Sequence, residues 1–427
     1  MEIHWPWWLH PAWALLLLTG SMSVISLLLP RQVFDLWHVH KYLGREEAGL
    51  LFIGLLSFFI ALMVASASTS RGGSTVIRFS ARQIDYLNRA YTFLYLLTVV
   101  GYMIWMASAA MQGVQLTDLM AVVDRDPGAI GGLKDNARPI GGLTTLTQFG
   151  PLVVAIGAVL RRLKRGGNAL ALVFLLAAVR TMFYAERLAL IEVLVPLIIV
   201  AAVTVPNDSR WRAPLRAAPL FAVPLISVVF AVSEYTRSWI YYESTTDASF
   251  VEWVSTRLAA YYVTAFNNSA MFMQAHEGSF ATPYFSVPFI WNAPGVDASS
   301  QGGINGHAAE DWWALILSTQ GNREFTNVGS FLVTYSEWGL TGMILFWALA
   351  GLIIGRLFAR LTKGSVPALL AYAVCFVGIL ELPRFIYWTQ GRATPIIVAA
   401  VFIALTYPAR RSRAEMRKSA RQFGSRR

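Results

Sequence analysis

Residues 50–65 read LLFIGLLSFFIALMVA. The run holds no charge and no proline. A helix on the surface of a soluble domain keeps a polar stripe along one face. This one has none, so every face must meet apolar surroundings. Its length approaches the roughly 20 residues that cross a ~30 Å hydrocarbon core. ALLLLTGSMSVISLLL at 14–29 has the same character. The whole chain follows suit: of 427 residues, 56% are hydrophobic and only 14% charged. Soluble domains carry about 25% charged residues, so an aqueous domain of this composition would expose far too much apolar surface. The expected fold is an all-α polytopic integral membrane protein. The opening MEIHWPWWLHPAW has no basic segment, and no small-residue cleavage site follows the first apolar run, so that run is expected to be a retained span. The single cysteine, Cys375, leaves no internal disulfide.

Hydropathy places about ten spans, near 11–30, 47–66, 90–111, 143–160, 168–180, 187–205, 214–233, 331–355, 366–382 and 393–408. Loop charge then alternates. Loops 67–89, 161–167, 206–216, 356–364 and the tail 409–427 carry 22 of the 35 Lys and Arg, against only Glu2, Asp85, Asp208 and Glu415 on that side. The positive-inside rule makes this side cytoplasmic, and both termini fall on it, as an even number of spans requires. The basic excess behind the pI near 9.9 is therefore explained by topology and anionic lipid, and nucleic acid is not an expected partner. The chain divides into spans 1–7 (1–233), a large outer loop (234–325), spans 8–10 (326–408) and a basic tail (409–427).

The outer loop holds five Trp, six Tyr, nine acids and no Lys. Such aromatic content argues for a folded segment. Within it Phe250, Val254, Leu258, Tyr261, Tyr262 and Ala265 recur at helical spacing, which predicts an amphipathic helix lying in the interface or packed on the spans. SVPFIWNAPGVDASSQGGINGH, at 286–307, reads as irregular loop.

Charges sit where they cost most in RTMFYAERLALIEVLVPLIIV, 180–200. Arg180 ends one span. Arg187 opens the next, where the helix dipole disfavours a cation by about 0.3–1 kcal/mol, so it needs an anion: Glu186 locally, or a phosphate, which a guanidinium grips with two parallel hydrogen bonds. Glu192 lies about 7 Å deeper at 1.5 Å per residue. It must face the bundle interior or be protonated, and Pro196 leaves its carbonyl without a helical partner. A second hairpin, ELPRFIYWTQGR at 381–392, offers Glu381, Arg384 and Arg392 among aromatics. Four guanidiniums, Arg180, Arg187, Arg384 and Arg392, near one level suit a diphosphate. A third polar stretch, FTNVGSFLVTYSEWGLTG at 325–342, brings Glu337, and Gly351 and Gly355 beyond it allow close helix packing. GHAAEDWW, 306–313, offers His307 as an acid, base or donor, without a defined metal-ligand set. No phosphate-loop or dinucleotide fingerprint is present, so no cofactor is expected.

The stretch TNVGSFLVTYSEWGLTGMILFWALAGLIIGRLF resembles the late span of the oligosaccharide repeat-unit polymerases, the Wzy-like O-antigen polymerase family. RTMFYAERLALI resembles the Arg-containing turn between that family's middle spans. Glu337-Trp338-Gly339 stands where the family often has Asp-Phe-Gly. The resemblance implies a glycosyl transfer at the outer face of the bacterial inner membrane. A growing glycan leaves undecaprenyl diphosphate for the sugar end of another lipid-linked repeat unit. In that reading Arg180, Arg187, Arg384 and Arg392 bind the diphosphate without a metal, and Glu337, His307 and Glu192, in that order, are candidate bases. Partners would be undecaprenyl-diphosphate-linked oligosaccharides, with a chain-length regulator and a flippase. The rivals are the related O-antigen ligase, a lipid-linked sugar transporter, which should show inverted repeats, and a scaffold, which has no use for costly charges.

Overall fold

The computed structural model describes residues 1–69, 73–124, 126, 129–137, 140, 142–183, 187–276, 283–291, 293, 296 and 309–409. Apolar helices stand at all ten positions that hydropathy marks. Six are long and apolar enough to cross a membrane: Pro11–Leu28, Arg45–Ser66, Ala81–Met111, Thr144–Arg162, Ala218–Tyr235 and Ser330–Thr362. Four are shorter: Leu170–Thr181, Leu188–Thr204, Val366–Glu381 and Thr394–Thr406. At 1.5 Å per residue, Val366–Glu381 reaches only about 24 Å. These four short helices are the arms of the two charged hairpins. One small element lies outside the all-α expectation: Glu2–His4 pairs antiparallel with Ser74–Val76.

Thr144–Arg162 is the most enclosed of the six long helices, with Leu152, Val153, Val154, Ala155 and Ile156 wholly buried. Two of the longest helices, Arg45–Ser66 and Ser330–Thr362, run parallel in close contact. The pairing is legible residue by residue. Gly54 meets Phe331 and Met343, Ser57 Oγ donates to Ile344 O at 2.8 Å, and Gly351 and Gly355 abut the backbone and alanines of 58–65. A Cβ at Gly351 would stand 2.6 Å from Phe58 O and 2.7 Å from Ala61 Cβ. The expected glycine packing is thus present, and its partner is the span quoted at the outset. Gly339, at φ 67°, breaks Ser330–Thr362 into two pieces. Only glycine takes that conformation freely.

Hydrogen bonds gather the connections into two groups at the two ends of the bundle. At one end Met1 N donates to Ile77 O, Thr75 Oγ1 to Thr362 O, Arg162 Nε to Thr204 O and Gln83 Nε2 to Pro408 O, all at 2.8–3.0 Å. At the other, Asn267 Nδ2 donates to His40 O at 2.7 Å and Asn322 Nδ2 to Trp37 O at 3.0 Å. These are the same two groups that loop charge separates.

The amphipathic helix of the outer loop is Phe250–Ala275, longer than its apolar face indicates. Residues 263–272 are buried throughout, and Ala265 O accepts from Gly329 N at 2.8 Å. The helix packs on the spans and does not lie free of them. Several loop aromatics are packing residues. Phe272, Tyr284, Trp312 and Trp313 form a small core with Met271, Leu317 and Val333.

Gly351→Leu should force these helices apart and cost about 1–3 kcal/mol. Gly49→Ala, on the same helix pair with open space around its Cβ, should be neutral or stabilising. Thermal unfolding in detergent reads both. Equal stability of the two variants would refute the close contact.

Candidate functional site

The second hairpin folds back on its own arm. Trp388 lies over Gly378, where a side chain would strike the indole, and its Nε1 donates to Cys375 O at 2.8 Å. The turn therefore carries Arg392 to the level of Glu192 on the other hairpin. Arg392 Nε and Nη2 donate to the two oxygens of Glu192 at 2.7 and 3.0 Å, and Tyr387 OH adds a third donor at 2.8 Å. Glu192 faces the interior beside a cation.

Arg384 Nη1 donates to Glu381 Oε2 at 2.8 Å, and the guanidinium lies over Tyr261, 4.6 Å from the ring centroid. Arg187 meets the same ring at 5.6 Å and Phe230 at 4.1 Å. Glu381 also lies within electrostatic reach of Arg392 and Glu192. Arg187, Arg384 and Arg392 thus belong to one cluster, tied together by Tyr261, Glu381 and Glu192. Arg180 is directed elsewhere. It is buried against Thr144–Phe149, where Nη1 donates to Thr147 Oγ1 at 2.8 Å and the Gln148 amide oxygen, turned toward it, accepts at 2.7 and 3.0 Å.

The cluster extends into the outer loop. Glu234 accepts from Arg187 Nη2 and from Arg257 Nε, the latter at 2.8 Å. Arg257 Nη1 reaches Glu324 at 2.5 Å, and Tyr242 OH donates to the same carboxylate. Burial, then the Glu324 hydrogen bond, pushes the Tyr242 phenol up to about 12. Burial, then Glu381, does the same to Tyr262. Both phenols remain protonated donors at physiological pH.

The charges are layered. The carboxylates of Glu234, Glu381 and Glu192 are 2%, 4% and 3% exposed, whereas their partners Arg187, Arg384 and Arg392 are 14%, 15% and 18% exposed. The acids stand behind and the guanidiniums stand in front. An anion approaching the cluster meets cationic donors already oriented by buried carboxylates.

Beside the cluster a cavity of about 280 Å³ is lined by the rings of Phe285, Trp313 and Phe385, the polar groups of Thr326, Asn327 and Gln390, and Arg392. Glu337 stands behind its wall. The carboxylate accepts from Phe285 N and Ser286 N, each at 2.8 Å, while Trp338 Nε1 donates to Ser286 Oγ at 2.7 Å. Glu337 therefore pins 285–286 against the helix break at Gly339. His307 and Glu186 lie outside the described residues. Among the described residues no group of three or more His, Cys, Asp or Glu side chains is placed to hold a metal.

Glu234, Arg257, Tyr261 and Glu324 escaped the sequence reading. Arg257 stands among apolar residues of an amphipathic helix and reads as part of its polar face. Its one signal is the aromatic-rich company of Trp253, Tyr261 and Tyr262. Comparison with protein-family models, curated proteins and solved structures finds no match to this chain.

Arg392→Ala should strand Glu192 in the interior and cost about 3–5 kcal/mol, whereas Arg392→Leu with Glu192→Leu should restore most of that loss. Thermal unfolding of Arg392→Leu, Glu192→Leu and the double variant measures the coupling. Additive losses would dismiss the pair as a structural unit.

Proposed function

We propose that this chain is a multi-pass glycosyltransferase of the bacterial inner membrane, of the repeat-unit polymerase kind. Its ten helices cross the bilayer, its termini lie in the cytoplasm and its charged hairpins open outward. The layered cluster carries the reading: Arg187 from one hairpin and Arg384 and Arg392 from the other stand in front of buried carboxylates. The short hairpin arms support it, because they hold these charges within the thickness that the longer helices span. There low dielectric strengthens any contact with an anion. A polyprenyl tail requires an enzyme open to lipid, and the diphosphate at its head requires bidentate cations.

In the proposed reaction a hydroxyl oxygen of the acceptor repeat unit attacks the anomeric carbon of the donor glycan. The bond from that carbon to the diphosphate oxygen breaks, and its electron pair leaves with undecaprenyl diphosphate. Arg187, Arg384 and Arg392 meet the charge as it develops, already oriented, so little reorganisation is needed. The cavity lined by Phe285, Trp313 and Phe385 takes the sugar next to the diphosphate, with ring faces for stacking and amides for hydroxyls. Glu337, one residue behind the cavity wall, or His307 in the outer loop, receives the acceptor's proton. Glu192 supports Arg392 through two hydrogen bonds. Arg180 orders the neighbouring turn at 144–149.

Arg187→Lys keeps the charge but loses the two-pronged grip, and Glu234 retains Arg257 as partner, so the fold should persist. Transfer from a purified undecaprenyl-diphosphate oligosaccharide should fall about 10²-fold. Release of undecaprenyl diphosphate by the variant at the wild-type rate would defeat the assignment.

A further inference from the structure

Helix Leu188–Thr204 reaches the charged cluster at Glu192 and ends, about 18 Å further along its axis, beside the N-terminal strand. A second cavity, of about 320 Å³, opens at that far end. Three separate segments wall it: Glu2, His4 and Trp5 from the N-terminus, Ser74 from the strand opposite, and Asn207, Arg212 and Arg216 from the connection after the helix, so one acid stands against two guanidiniums. The connection is anchored, since Trp8 Nε1 donates to Leu215 O at 3.0 Å.

The electrostatics here are the reverse of those at the other end. Arg187, Arg257, Arg384 and Arg392 each have a carboxylate partner. Among the described residues Arg212 and Arg216 have none, and Arg212 donates only to Asn207 O at 3.3 Å. His4 Nε2 is buried without a hydrogen-bond partner, with Glu2 Oε1 at 3.6 Å the nearest carboxylate. Burial holds the His4 imidazole below its ordinary range. Glu2 opposes that shift, and Arg212 and Arg216 add to it. Two unpaired guanidiniums and an unsatisfied imidazole around one cavity define a place for an oxyanion.

The flank of the cavity indicates the source of that anion. Helix Ala218–Arg237 begins two residues after Arg216 and is the least buried of the long apolar helices. Leu220, Phe221 and Val223 on its first turns are 74%, 60% and 68% exposed. An apolar wall thus runs directly from a cationic pocket, which matches a phosphate head joined to acyl chains. Basic pockets at the ends of membrane helices take anionic lipid heads by this chemistry.

We propose that this cavity binds the phosphate ester of an anionic glycerophospholipid. Arg212 and Arg216 clamp the phosphate, Ser74 and His4 donate to it, and the acyl chains lie along Leu220, Phe221 and Val223. A soluble phosphate ester shares the polar half of this chemistry and lacks the apolar half. The site is independent of any reaction at the opposite end.

The test is native mass spectrometry of the full chain released from nanodiscs holding equal phosphatidylglycerol and phosphatidylcholine, with glycerol 3-phosphate as a separate probe. Phosphatidylglycerol should be retained in preference. Retention should drop about tenfold or more in Arg212→Gln/Arg216→Gln, with an unchanged thermal transition and no drop in Arg356→Gln/Arg360→Gln. The His4 pKa, followed by NMR, should rise when the lipid binds, because an added anion favours the imidazolium. Equal retention by wild type and Arg212→Gln/Arg216→Gln overturns the site. Glycerol 3-phosphate bound as tightly as the lipid, with the same arginine dependence, overturns the lipid as its occupant.

Discussion

The pairing of Glu192 with Arg392 is the contact on which the end of the bundle that carries both charged hairpin turns depends. A carboxylate one and a half turns inside an apolar helix cannot be left alone, since an unpaired buried charge costs several kcal/mol. The chain meets that demand from another hairpin, 200 residues away in sequence. To deliver Arg392 at the right depth, the connection 382–393 folds back over Gly378 and sets Trp388 on a residue without a side chain. The same turn leaves Arg384 against Glu381 and Tyr261. One electrostatic requirement thereby draws together two hairpins and the outer-loop helix Phe250–Ala275.

Tight packing of the bundle makes this precision possible. Gly351 and Gly355 let two long helices approach until backbone meets backbone, and the break at Gly339 redirects the piece that carries Glu337. Glu337 then holds Phe285, a wall of the cavity beside Arg392, through two backbone N–H groups. Side chains far apart in the chain are thus fixed relative to each other by helix contacts and backbone hydrogen bonds, not by loops alone. The two ends of the molecule differ in kind. At one, every cation of the cluster is backed by an acid. At the other, Arg212 and Arg216 have no carboxylate partner among the described residues.

Much of the architecture was legible in the residues. The positions of ten apolar helices follow from hydropathy because each run must avoid water on all faces. The sorting of loops into two groups follows from Lys and Arg placement. That Glu192 faces inward follows from cost alone. The partners were another matter. Glu186, the nearest anion to Arg187 in sequence, lies outside the described residues, and Glu234, 47 residues away, stands against Arg187 in space. Arg180 looked equivalent to the other three arginines, yet it is directed at Thr147 and Gln148. Glu337 read as the first candidate base, and its carboxylate accepts from two backbone amides.

The sequence by itself determined that this chain is a helical membrane protein, where its helices lie and which residues carry charge at a cost. Those properties are local, since hydrophobic length and charge act through the solvent that each segment meets. Tertiary structure alone decided which arginine meets which carboxylate, that Tyr261 joins two hairpins, and that Arg257 and Glu234 belong to the cluster. Pairing is a matter of distance in space, and a side chain's reach of a few ångströms has no counterpart in the spacing of residues along a chain.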